Sequence, residues 1–161
     1  MKKQIIYPAL IPRMFATTLD LFLLAILSTP LTTFISFKLS EFLFKVNIAE
    51  ILIKSAENLE ALAVNNFSNL LIFIALMAIV NIIIVGTYFI SFWVYYGATP
   101  GKMIMHMKIV NAVTLEQPGK WQFIKRFCGY FTALFGIWSI VVSKQRQALH
   151  DKMAQTVVIK R

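Results

Sequence analysis

Residues 70 to 96 read LLIFIALMAIVNIIIVGTYFISFWVYY, 27 positions without one charged side chain. As a helix rising about 1.5 Å per residue, this run is ample to cross a hydrocarbon core roughly 30 Å thick. Trp93, Tyr95 and Tyr96 gather at its end, where aromatic rings sit at a bilayer interface. The stretch therefore predicts a membrane protein, and composition agrees. Hydrophobic residues make up 58% of the 161 and charged residues 14%, with a mean hydropathy of +0.71, well above a typical soluble domain.

Upstream, Met14 to Phe37 forms a second run of 24 residues whose only charge is Asp20. It has the length of a span and lacks a small-residue cleavage pattern, so it reads as a retained anchor. Downstream, Phe127 to Val142 gives only 16 uncharged residues, interrupted by Gly129 and Gly136. That is short for a crossing, and a crossing would export a tail of net charge +4 between 144 and 161. A re-entrant segment broken near Gly136 fits better than a tilted third span. The fold expected is an all-α membrane protein in a single domain, residues 1–161. Its spans lie at about 14–37 and 70–96, its third membrane segment at about 127–142, and a small cytoplasmic β-ribbon completes it.

Charge sets the orientation. Residues 1 to 13 carry a net +3 and residues 97 to 126 a net +4, whereas the 38 to 69 connection carries −1. The positive-inside rule places the N-terminus and the 97 to 126 segment in the cytoplasm. The formal net charge of +9 is thereby explained by topology, without nucleic acid. In the connection, Asn47 and Glu50 read as a capping pair before an apolar stripe at helical spacing, which predicts a surface helix.

The segment GATPGK, residues 97 to 102, follows the second span directly. A phosphate-binding loop needs four residues between its first glycine and the Gly-Lys pair, then a hydroxyl residue. Here three intervene and Met103 follows, so the segment is read as a structural turn at the membrane face. Gly97 and Gly101 give backbone freedom, Pro100 stiffness, and Lys102 reaches the headgroups. After it, Met103 to Val110 and the apolar piece Thr156 to Ile159 are expected to pair as a ribbon beneath the membrane.

Asp20 is the residue most able to carry chemistry. A carboxylate near mid-span costs on the order of 2.5 to 3.5 kcal/mol on insertion scales, so it is neutralised, paired or held in a wet cavity. Arg13 lies seven positions earlier on the same helix face, about 10.5 Å away along the axis, sharing the stripe without touching. Arg13 either tunes this acid or anchors the helix at the headgroups. Asn81, near the middle of the second span, can hydrogen-bond across to Asp20 or serve as interhelical glue. His106 and His150 lack partners at metal-ligand spacing. His150 and Asp151, being adjacent in sequence, point apart and read as surface residues. Cys128 is the single cysteine, so no intrachain disulfide forms. No nucleophile comes with a partnered base, and an enzyme is not expected.

Together, RMFATTLD (13–20), GATPGK with MKIV (107–110), and ALHDKMAQTVV (148–158) resemble the RDD family of small bacterial membrane proteins, named for an arginine and two aspartates. The resemblance assigns these to Arg13, Asp20 and Asp151, and draws Thr99, His150 and Thr156 into the structural motifs. It departs at Gln155, where the family often has glycine before the last strand. It implies a multi-pass protein of the bacterial plasma membrane, with no cofactor. It further implies transport activity. The leading expectation built on it is that Asp20 exchanges a proton for a monovalent cation, with Arg13 tuning it and Asn81 and Asp151 on the path, in a homo-oligomer, since two or three membrane segments can hardly enclose a pathway alone. The rival expectation is a non-transporting scaffold or accessory protein that binds partners or anionic lipid through its basic cytoplasmic face.

Overall fold

A computed structural model describes residues 5–45, 67–132, 139–140, 143 and 146–160. Two helices dominate: α1, Leu10–Phe44, and α2, Phe67–Tyr96. Both are long and apolar enough to cross a membrane. Only 6% of the most apolar window of α2 is covered by the rest of the protein, which is not how a core helix of a soluble domain is placed. Large apolar side chains such as Phe22, Leu27, Phe34, Ile74 and Ile83 stand more than half exposed and call for a lipid solvent.

Both helices outrun the expected spans. α1 begins before Arg13 because that guanidinium is buried at 7% exposure and ion-paired. It continues past Lys38 because Lys38 and Glu41 pair on the helix surface at 3.0 Å, so neither charge ends the helix. The surface helix expected from Asn47 onward lies outside the described residues.

The chain forms two compact units, residues 1–24 with 86–161, and residues 25–85. In the second, Pro30 sits inside α1 and removes one backbone donor. Hydroxyls there turn onto their own helix, Thr29 to the Ala25 carbonyl at 2.6 Å and Thr32 to that of Ser28 at 3.0 Å, which hides them from lipid. Asn69 donates to the Leu43 carbonyl at 3.0 Å, and Phe44 meets Phe73 edge-on.

The first unit holds the remaining elements. After α2 come a short helix α3, Pro100–Ile104, strand β1, Met107–Asn111, helix α4, Lys120–Gly129, and a 3-10 turn, Tyr130–Thr132. Helix α5, Leu149–Met153, and strand β2, Thr156–Lys160, follow. β1 and β2 pair antiparallel, with Ile109 opposite Val158 and Val110 opposite Val157. The ribbon exists as expected, but Met103 and Ile104 belong to α3 rather than to the strand. Of the third membrane segment, Phe127 to Gly129 close α4 and Tyr130 to Thr132 form the turn; most of the rest, Gly136 included, lies outside the described residues.

GATPGK is more than a turn. Gly97 takes a left-handed φ of +68°, a conformation costly for a residue with a Cβ, and its carbonyl accepts from Ile109 of β1 at 2.8 Å. Pro100 then starts α3, where its missing N–H is harmless. Lys102 does not reach headgroups. It is 4% exposed and lies 5.9 Å from the centroid of the Trp93 ring.

Candidate functional site

The site grows from three fully buried groups in the first unit: Asp20 of α1, Trp93 of α2 and Asp151 of α5. Trp93 is not an interfacial belt residue, although Tyr95 and Tyr96 are exposed. Its ring stacks near Phe89, Phe123 and Tyr130, and the Arg126 guanidinium lies 5.4 Å from its centroid. A desolvated cation over an indole is stabilised by about 2 kcal/mol. The aromatic floor thus holds the two cations Lys102 and Arg126 away from water.

Asp20 is held by α3. The Thr99 hydroxyl donates to its Oδ2 at 2.5 Å and the Gly101 N–H to its Oδ1 at 2.7 Å. Gly101 is required there, because a Cβ would overlap the Ala16 carbonyl oxygen and stand 3.0 Å from the Asp20 carboxyl carbon. The Tyr88 hydroxyl faces the same carboxylate without hydrogen-bond geometry. Asn81 lies in the other unit, exposed, its amide donating to the Met77 carbonyl of its own helix at 2.7 Å. Among the described residues, the hydrogen-bond donors to the Asp20 carboxylate therefore come from GATPGK.

Arg13 does not anchor at headgroups. Its Nη1 donates to Asp151 Oδ2 at 2.8 Å, across 138 positions of sequence. Asp151 also pairs with Arg126, whose Nη2 lies 2.5 Å from Oδ1, and it accepts the Ala148 N–H at 3.1 Å, closing the first turn of α5. Thr156, which opens β2, accepts from Arg126 Nη1 at 2.7 Å. One carboxylate thus joins the start of α1, the inner face of α4 and the closing motif. Burial alone pushes the Asp151 carboxyl up, but the cations around it, Arg126 foremost, hold it below the usual range.

His150 and Asp151 are not surface residues. The His150 ring centroid lies 4.4 Å from that of Tyr130, and Nε2 is 3.4 Å from Asp151 Oδ1. Burial first, and then Arg126, push the His150 pKa down to about 3, so its imidazole is neutral at physiological pH. The expectation that neighbours in sequence point apart fails because α5 turns both inward against α4.

Arg126 is the residue that sequence reasoning missed, having counted it only as rim charge. The signal was its position between Phe123 and Gly129. These three form the buried stripe of α4, spaced three apart, while Lys120, Trp121 and Lys125 face outward.

Beside this cluster opens a cleft of about 300 Å³, lined by Arg13, Lys102, Arg126 and His150 together with Leu10, Met14, Ile140 and Val158. Asp20 does not line it.

The sequence model of the RDD family matches residues 7–155, which include all three groups. The chain is similar to an uncharacterized protein of Rickettsia prowazekii (strain Madrid E), 45% identical over 99% of each chain. No solved structure matches.

Proposed function

Because the chain belongs to the RDD family and is a membrane protein, we propose that it acts by binding, as a non-transporting membrane scaffold or accessory protein. It presents the folded unit around the ribbon, with a basic face, to partners or anionic lipid. One observation carries this reading: both aspartates of the signature are spent inside the protein. Asp20 fastens α3 to α1, and Asp151 fastens α5 to Arg13 and Arg126. Asp20 is hydrogen-bonded on both oxygens, and Asp151 is hydrogen-bonded on Oδ2 and ion-paired on Oδ1, so each serves as a strut rather than as an open ion-binding ligand. Around this unit Lys120, Lys125, Arg146, Lys152 and Lys160 are exposed, the array that attracts an anionic leaflet or an acidic partner surface. This face is placed on the cytoplasmic side of a bacterial plasma membrane, with the N-terminus inside, as the charge asymmetry argues.

The second reading is exchange of a monovalent cation for a proton at Asp20, within a homo-oligomer. It is favoured by the hydroxyls of Thr99 and Tyr88 around a fully buried carboxylate in a spanning helix. Proteoliposomes loaded with a pH-sensitive dye separate the two. The scaffold reading expects no cation-dependent proton flux in the wild type or in Asp20→Asn. Flux present in the first and lost in the second overturns it in favour of exchange. A reporter fused after Arg161 checks the placement, and a periplasmic signal would reject it.

A further inference from the structure

The cleft beside the cluster is lined by side chains with donors left unused among the described residues. Arg13 spends Nη1 on Asp151, yet its Nε and Nη2 are buried without a hydrogen-bond partner among the described residues. Those two N–H groups form the side edge of the guanidinium, a parallel fork that matches two oxygens of a phosphate or carboxylate. Arg126 likewise leaves Nε unpartnered, and His150 leaves Nδ1. All three side chains line the same cleft, with the unpartnered N–H groups themselves buried behind its wall. Leaving such donors buried without an acceptor is unfavourable, and a bound acceptor would relieve it.

Charge points the same way. Arg13, Lys102 and Arg126 give three positive charges, while Asp20 and Asp151 supply two negative ones, so the buried set keeps one positive charge. A cation is repelled from this cleft and a single anionic head completes it. Among the described residues, the rest of the lining is Leu10, Met14, Ile140 and Val158, which are apolar, with the hydroxyl-bearing Thr17, Thr18 and Tyr130. Met14 stands 58% exposed on α1, a helix with the length and composition of a span, so one wall of the cleft continues onto a surface suited to acyl chains.

We infer that this cleft is a binding site for a lipid-borne phosphate, the Arg13 side edge gripping two phosphate oxygens beside Lys102 and Arg126 while an acyl chain leaves past Met14. The site gives the scaffold reading one defined lipid ligand. It is separable from the exposed rim, because the rim lysines do not line the cleft.

The full chain in neutral detergent is titrated with short-chain phosphatidylglycerol, short-chain phosphatidylcholine or inorganic phosphate, and bound ligand is read by calorimetry. Phosphatidylglycerol should bind, and Arg13→Lys, which keeps a cation for Asp151 but loses the fork, should weaken it by about tenfold or more. Met14→Trp, at an exposed position, should block binding while the unliganded melting temperature stays within a degree or two. Since it leaves the cluster intact, it keeps the test valid if Arg13→Lys fails to fold. Inorganic phosphate binding with the same dependence on Arg13 but none on Met14 would identify the free ion as ligand and overturn the lipid assignment. So would equal binding of phosphatidylcholine. No binding of any probe, or binding unchanged in both variants, overturns the site altogether. Lys120→Gln/Lys125→Gln/Lys152→Gln should leave this titration unchanged while weakening attraction to anionic vesicles, so loss of the rim and loss of the cleft are read separately.

Discussion

Replacing Asp151 by Asn keeps the side-chain shape and removes the charge shared by Arg13 and Arg126. In the native protein that carboxylate lies 2.8 Å from one guanidinium and 2.5 Å from the other, fully buried. Breaking a buried ion pair by deleting one partner costs about 3–5 kcal/mol, because the surviving charge is stranded. Here two cations are stranded together and repel each other, so the loss should fall at the top of that range. Arg13→Met removes one cation and leaves Asp151 with Arg126 and the Ala148 N–H. It should therefore cost less, by roughly 1–2 kcal/mol. The double variant should be less destabilised than the sum of the singles, a coupling of about 1–3 kcal/mol expected of groups in one network. Unfolding in mixed micelles of neutral and anionic detergent, followed by tryptophan fluorescence, gives all four corners of the cycle. Additive effects, or an Asp151→Asn loss below about 1 kcal/mol, would refute the view that this carboxylate fastens the fold.

Gln155 takes a left-handed φ of 52°, so Gln155→Gly should raise stability by about 0.5–1 kcal/mol, the conformational strain outweighing the added chain entropy. Gly101→Ala should lower it by roughly 3–5 kcal/mol, since the methyl collides with the Ala16 carbonyl and parts Asp20 from α3; an unchanged melting temperature would show that the two helices do not approach as described. His150 is depressed to about 3 in the folded protein against about 6.5 unfolded, so the unfolded chain binds the extra proton between those values. Its contribution is complete above pH 6.5 and falls by up to about 1.4 kcal/mol per pH unit below it, so melting curves from pH 7.5 to 4 should show a decline that His150→Gln flattens. The Asp151 carboxyl, held below its usual range, adds a further loss only as pH drops beneath about 4.

The spans were legible because an uncharged run of 27 residues has few soluble explanations, and the ribbon because Ile109, Val110, Val157 and Val158 favour strand. Asp20 announced itself as a carboxylate in an apolar helix. Its partners did not, since Thr99 and Gly101 are about 80 positions away and only the packing of α3 on α1 supplies them. The burial of Trp93, Lys102 and Arg126 was hidden for a related reason. Aromatic and basic residues beside a span have an interfacial explanation ready, and a cation held over an indole has no local signature. His150 misled because the rule that neighbours diverge is a property of one element, whereas the ring of His150 packs on Tyr130 while Asp151 beside it pairs with Arg13 and Arg126.

The pairing of Arg13 with Asp151 also sets an order of events in the life of the chain. The guanidinium enters α1 early, whereas its acid is made 138 positions later, roughly 7 to 30 s afterward at 5–20 residues per second. During that interval the first helix carries an uncompensated positive group. A fragment ending before residue 151 lacks that acid, so it should be degraded faster than the full chain when both are expressed and followed by pulse-chase.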